Sequence, residues 1–267
     1  RMYDPQTGRW HVVDLMAESS RRWSPYNYAL NNPIRFIDPD GMRINDPNDY
    51  FDVNTGEPLG KDKDPINNNV YLTTKTNWKA MKGEEWSTKI PGSISPDGHK
   101  ISSEVAAGIF YHYYIEAGLD VNNLSDKTVI PQIEGNQESG WTDIGKTEYG
   151  SQYTGLNKGE SRISAEKHSI GGTLKTKYDY INLFIHEGGS HIQDFKNNEK
   201  AGLNPLYIDA RDEKSFERNA IRMQVGHSSW AGTSQSYKSV IEKNAIYYKV
   251  LTGSEINKYF KTNYVTK

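Results

Sequence analysis

The stretch Tyr178–Phe195, YDYINLFIHEGGSHIQDF, constrains this chain more than any other. Four apolar residues, Ile181, Leu183, Phe184 and Ile185, run directly into His186-Glu187, and a second histidine follows at His191. Adjacent His and Glu at the end of an apolar helical segment suit hydrolysis on zinc. The neutral imidazole is a ligand, and the neighbouring carboxylate takes a proton from water. In the familiar H-E-x-x-H pattern the two histidines lie one turn apart on one helix face. Here Ser190 stands four residues after His186, and the histidine comes one residue later. At about 100° per residue, a spacing of five turns the imidazoles about 140° apart on a regular α-helix, against about 40° for a spacing of four. A single π-type bulge, often found at functional sites, returns both to one side. Gly188-Gly189 fits such an irregularity, because two glycines inside a helix cost about 1 kcal/mol each relative to alanine. The bland alternative is an ordinary helix with one buried and one exposed histidine.

The 267 residues include no cysteine. Disulfides and thiolate ligands are therefore excluded, and any metal site must use His and carboxylates. A net charge of −2 argues against a nucleic-acid surface. No apolar run approaches the roughly 20 residues of a membrane span. The N-terminal RMYDPQTGRW lacks an apolar signal region and reads as if mid-domain. Eighteen Tyr and six Trp supply apolar bulk that the aliphatic content alone does not.

Taken in order, residues 1–42 are dense in turn formers, with short aromatic patches between them. Residues 43–80, rich in Asp, Asn, Gly and Pro, read as a polar linker. A small hairpin at Tyr50–Leu59 and a strand at Val70–Thr73 lie within it. Ile101–Gly118 predicts a helix with Val105, Ile109, Phe110 and Tyr113 on one side. Thr128–Ile133 predicts a strand, Trp141–Lys158 a loop, and Ser161–Leu174 one or two strands turning at Gly171-Gly172. His112 and His168 read as structural or exposed. Glu213–Val225 predicts a helix with Phe216, Ala220, Met223 and Ile221 on its apolar side. Arg218 and Arg222 supply that helix's outer charge and leave Glu217 free to face inward. His227 follows as a ligand, a transition-state hydrogen-bond donor or a helix-end cap. Ser234–Leu251 predicts a final packing helix.

Residues 1–42 carry YDPQTGRW, Asp14 and Glu18 in DLMAE, and SPYNYALNNPIRFIDPDGM with its Pro33-x4-Asp38-Pro39-x-Gly41-Met42 ending. They resemble the end of the Rhs repeat-associated core of bacterial polymorphic toxins. Leu15 stands where that family usually has proline, and Met42 where it usually has leucine. The resemblance implies a cocoon-like β-shell and self-cleavage after Met42, with Asp14, Asp38 and Asp40 as candidate members of an aspartyl site. Two facing carboxylates that share a proton can activate water. It further implies a toxin beyond the shell, a cognate immunity protein, and secretion or delivery by a bacterial secretion system into target cells.

Ile181–Trp230 resembles the metallopeptidase-like toxin domains found at Rhs C-termini. The likeness rests on His186-Glu187, His191, Gln193-Asp194, and the ERNAIRMQ run with the HSSW that follows. A carboxylate on the inner face of a later helix is the usual third zinc ligand in one zincin branch, which points to Glu217.

The expectation is thus an α+β chain, zincin-like, with a motif helix packed on a small sheet. Residues 1–42 are the core end, 43–80 a linker, and 81–267 the metallopeptidase-like domain. Zn²⁺ is held by His186, His191 and Glu217, Glu187 is the general base, and the substrate is a protein or peptide. The alternatives are a non-proteolytic toxin or binding module with a structural His-Glu segment, and a metal-dependent nuclease.

Overall fold

A computed structural model describes residues 3–11, 24, 26–28, 47–62, 68–81, 89–120, 130–132, 145–149, 156–157, 160–203 and 210–260. Asp14, Asp38, Asp40 and Met42 lie outside the described residues. Near the start, β1 (Tyr3–Asp4) pairs antiparallel with β2 (Arg9–Trp10), and Trp10 packs edge-on against Tyr3 and Tyr28.

Within residues 43–80, read as a polar linker, the described residues include the expected hairpin and the expected strand Val70–Thr73, joined in one sheet with buried residues. Strands β3 (Asp49–Asp52), β4 (Pro58–Lys61) and β5 (Val70–Thr73) form a sheet in the order β4-β3-β5. A helix, α1 (Lys75–Met81), follows. Tyr50, Phe51, Val70 and Leu72 are buried in this sheet. The segment reads as polar because its Asp and Asn side chains bond the backbone, Asp52 within its own turn and Asp62 across the hairpin. Asp52 accepts from the amides of Asn54 and Thr55, and Asp62 accepts from Asn48 and from the Tyr50 hydroxyl. Such short polar side chains favour turns without excluding a core on the other face. The hairpin turn presses on the next helix, since a Cβ on Gly56 (φ +71°) would lie 2.5 Å from the Val105 carbonyl oxygen.

That helix, α2 (Ser103–Glu116), starts on a Ser102 cap. It buries Val105, Ala106, Ile109, Phe110, Tyr113 and Tyr114. A second sheet has the order β6-β8-β7, with β6 (Ile130–Gln132) parallel and β7 (Gly145–Tyr149) antiparallel to β8 (Ser161–Glu166). Strand β7 lies where a loop was expected at Trp141–Lys158, a span otherwise mostly outside the described residues. Only Tyr149 of its five residues is buried, so the hydrophobic alternation that marks a strand is missing. Its register is held by backbone pairing and by a two-nitrogen ion pair from Arg162 to Glu148 Oε2, at 2.6 and 2.8 Å.

The motif segment is one long helix in three parts: α3 (Lys177–Phe184), a π-helical segment Ile185–His191, and α4 (Ile192–Lys200). All eight residues of α3 are buried. Tyr180 stacks on Tyr113 and Phe184 meets Phe110 edge-on, so α2 covers one side. Helix α5 (Ala210–Gly226) packs on the π-helical segment, α6 (Gln235–Tyr247) on α5, and α7 (Gly253–Phe260) on α6. The inner stripe of α5 is Ala220, Ile221, Gln224 and Val225, and Met223, expected on the apolar side, is 43% exposed. The stripe follows helical spacing back to Glu217, and a glutamine rather than the methionine completes it.

The chain mixes helix and sheet and is compatible with the α+β class. Among the described residues no helix is long and apolar enough to cross a membrane.

Candidate metal centre

The π-helical segment resolves the five-residue spacing. The wider turn brings His191 Nε2 to 3.0 Å from His186 Nε2. Gly188 lets the helix pack closely, since a Cβ there would lie 2.7 Å from Leu119 Cδ1 and 2.8 Å from Tyr114 Cε2, whereas one on Gly189 would crowd only the Met223 methyl, at 3.1 Å. From the facing helix α5, Glu217 presents Oε1 3.3 Å from His191 Nε2 and Oε2 3.6 Å from His186 Nε2. The three side chains are partly buried, with 13%, 13% and 21% exposed. Ligands about 2.0–2.2 Å from a tetrahedral ion are about 3.3–3.6 Å apart; the two separations to Glu217 match this, the two histidines stand closer at 3.0 Å, and the three atoms together form a possible ligand group for one ion.

The electrostatics of the cluster favour a cation. Burial pulls the His191 pKa down, but its hydrogen bond to Glu217 and the charges of Glu187, Glu217 and Asp194 outweigh it and hold the imidazole above its ordinary value. Burial pushes Glu217 up, but the hydrogen bond from His191 and the charges of both imidazoles hold its carboxyl below the usual range.

Glu187 is 5% exposed and lines the same cleft. Thr147 Oγ1, on the edge strand β7, lies 2.7 Å from Glu187 Oε2 and 3.0 Å from the Glu187 carbonyl oxygen. The cleft has a volume of about 320 Å³. Gly145 to Thr147, Phe195, Phe216, Ile241, Asn244 and Tyr248 are among the residues that line it.

The expected residues His186, Glu187, His191 and Glu217 thus come together. His227 does not join them. It caps the 3₁₀ turn Ser228–Gly232, with Nδ1 accepting from the Ser229 amide at 3.2 Å. The short turn after α5 needs an acceptor at its start, and His227 supplies it. Thr147 and Gln224 were missed. Thr147 sits in a strand that has no alternation to reveal it. Gln224 was findable, because it lies two helical turns after Glu217 on the same face.

A second group, Asp49, His112 and Glu116, also brings ligand-type atoms together. There Lys61 Nζ lies 3.4 Å from both Asp49 Oδ1 and Glu116 Oε1, so a lysine already supplies the cation.

No family model matches the chain, and no solved structure matches it. Salivary gland surface protein 1 of Aedes aegypti is 48% identical over 42 residues, which are 16% of this chain and 1% of that protein. The chain therefore spans only a small part of that protein's length.

Proposed function

We propose that the chain is the end of an Rhs-type polymorphic toxin whose C-terminal part is a zinc-dependent metallopeptidase acting on proteins or peptides. The observation that carries this reading is the convergence of His186 Nε2, His191 Nε2 and the Glu217 carboxylate within 3.6 Å, with Glu187 beside them in one cleft. A motif helix bordered by the edge strand of a small sheet also supports a zincin-like arrangement.

His186, His191 and Glu217 would hold the ion, which when bound supplies electrophilic activation of water and of the scissile carbonyl. Glu187 accepts the proton of the attacking water and passes it to the leaving amine. Thr147 holds one oxygen of that carboxylate, which fixes its rotamer and leaves the other oxygen as the proton acceptor. Among the described residues β7 is the last strand of its sheet, and its backbone is where an extended peptide laid along the cleft would pair. Phe195 and Phe216 add apolar surface to the cleft lining.

The toxin part of the proposal rests on residues 1–42. They close the Rhs shell of the parent protein, which is cut between Met42 and Arg43 by a site drawn from Asp14, Asp38 and Asp40. The released part is delivered by a secretion system into a target cell, and a cognate immunity protein guards the producer. The test of the peptidase is to incubate the zinc-loaded protein with peptides prepared from a bacterial lysate and to map new termini by mass spectrometry. New termini that disappear in Glu187→Gln support the reading. None at all, or the same ones with Glu187→Gln, overturn it.

A further inference from the structure

Gln224 is 1% exposed on the inner stripe of α5 and touches the candidate metal centre from behind. Its Oε1 lies 3.0 Å from His186 Nδ1. Its amide nitrogen lies 2.9 Å from the Tyr237 hydroxyl and 3.4 Å from the Asn182 carbonyl oxygen. The tyrosine hydroxyl can donate or accept, so it does not fix the amide's orientation. The Asn182 carbonyl does, because it only accepts and must face the NH₂ group. Oε1 is then the atom that meets the imidazole.

An acceptor at Nδ1 requires the ring proton to be there. The lone pair of the neutral imidazole is left on Nε2, the nitrogen that faces His191 and Glu217. The reversed amide would present a donor to Nδ1, move the proton to Nε2, and close that nitrogen to a metal. Gln224 is itself bracketed. Asn182 Nδ2 donates to the Gln224 backbone oxygen at 3.0 Å and to Ser229 Oγ at 2.9 Å, which ties α3 to α5 at this level.

We propose that Gln224 is a positioning residue that selects the metal-binding tautomer of His186. The inference rests on the metal reading of the cluster, and it deepens that reading by naming what aims the ligand. Groups behind metal-bound histidines set ring orientation and basicity, and losing them typically costs about 10- to 100-fold in metal affinity.

The experiment uses the full chain and has two readouts. Zinc affinity is measured by calorimetry for the wild type, Gln224→Leu and Gln224→Glu, with the melting temperature of each zinc-free variant recorded. The protonated ring nitrogen of His186 is assigned by ¹⁵N NMR of the zinc-free wild type at about pH 8, where imidazoles are mostly neutral. The inference predicts a proton on Nδ1 and a loss of about 10- to 100-fold in Gln224→Leu. Gln224→Glu, which keeps an acceptor at Nδ1 although it sets an oxygen against the Asn182 carbonyl, should lose clearly less affinity than Gln224→Leu. Wild-type affinity in Gln224→Leu, an equal loss in both variants, or a proton on Nε2 in the wild type overturns it. If Gln224→Leu does not fold, the wild-type tautomer and the Gln224→Glu affinity decide. A wild type that binds no zinc defeats the metal reading, and the NMR result still tests the orientation separately.

Discussion

Asp179 holds the start of the motif helix, and its removal should be costly. The side chain is fully buried, and its two oxygens accept three backbone amides: Ser234 at 2.7 Å, and Lys175 and Thr176 at 2.9 Å each. It forms a capping box with Thr176 at the start of α3 and also fixes the residue that caps α6. In Asp179→Ala these three donors lose their partner, at about 1–3 kcal/mol for each one left unsatisfied. Part of this is returned, because burying a carboxylate costs several kcal/mol. That cost shows in the Asp179 pKa, which burial pushes above its ordinary value although the amide bonds pull it down. The net loss is about 2–4 kcal/mol, and at about 2–4 °C per kcal/mol for a chain of this size the midpoint should fall by about 5–15 °C. Thermal unfolding of the zinc-free protein, followed by circular dichroism, measures this without the stabilisation that ligand binding adds. Asp179→Asn should lose nearly as much, since an amide cannot accept on both sides. Below its melting temperature Asp179→Ala should still bind zinc, because the carboxylate does not touch the cluster. A midpoint within about 2 °C of wild type would show that the three amides find other partners, and the reasoning would fail.

Three further outcomes follow from the same contacts. Phe51→Ala should cost about 3–5 kcal/mol in denaturant unfolding, as expected of a buried aromatic, whereas a true linker would tolerate it. Thr147→Val should leave zinc affinity unchanged and lower kcat/KM on a cleaved peptide by about 10- to 100-fold, the equivalent of one hydrogen bond to a charged group; loss of zinc instead would place Thr147 in binding. Zinc uptake should weaken as pH falls and release a proton, because the zinc-free His191 holds its proton above the ordinary imidazole value. In the zinc-free protein the sign is reversed. A raised histidine pKa stabilises the fold below about 6.5 and loses that contribution as pH rises through the raised value. The depressed Glu217 pKa adds stability above its unfolded value and loses it as pH falls. Calorimetry in buffers of different ionisation enthalpy counts the protons, and a count of zero would contradict the coupling.

Much of the site was legible in the letters, because its chemistry is local. His186, Glu187, the two glycines and His191 are contiguous, and their spacing posed the problem that the π-helical segment solves. Glu217 could be reached through the helix period and the outward arginines beside it. What was not legible depends on partners distant in the chain. Thr147 meets Glu187 across 40 residues, from a strand without alternation. The 47–81 segment hides a core behind turn-forming Asp and Asn, so its composition suggested a linker. Met223 and Gln224 are neighbours on α5, and hydrophobicity favoured the residue that faces outward.

The central claim is that His186, His191 and Glu217 share one zinc ion. A crystal of the protein grown with zinc, with anomalous data collected on both sides of the zinc absorption edge, tests it most directly. The account predicts one strong peak about 2.0–2.2 Å from Nε2 of each histidine and from a Glu217 oxygen, with the π-helical segment intact. A map with no peak there, or a regular α-helix that turns His191 away from His186, would contradict it.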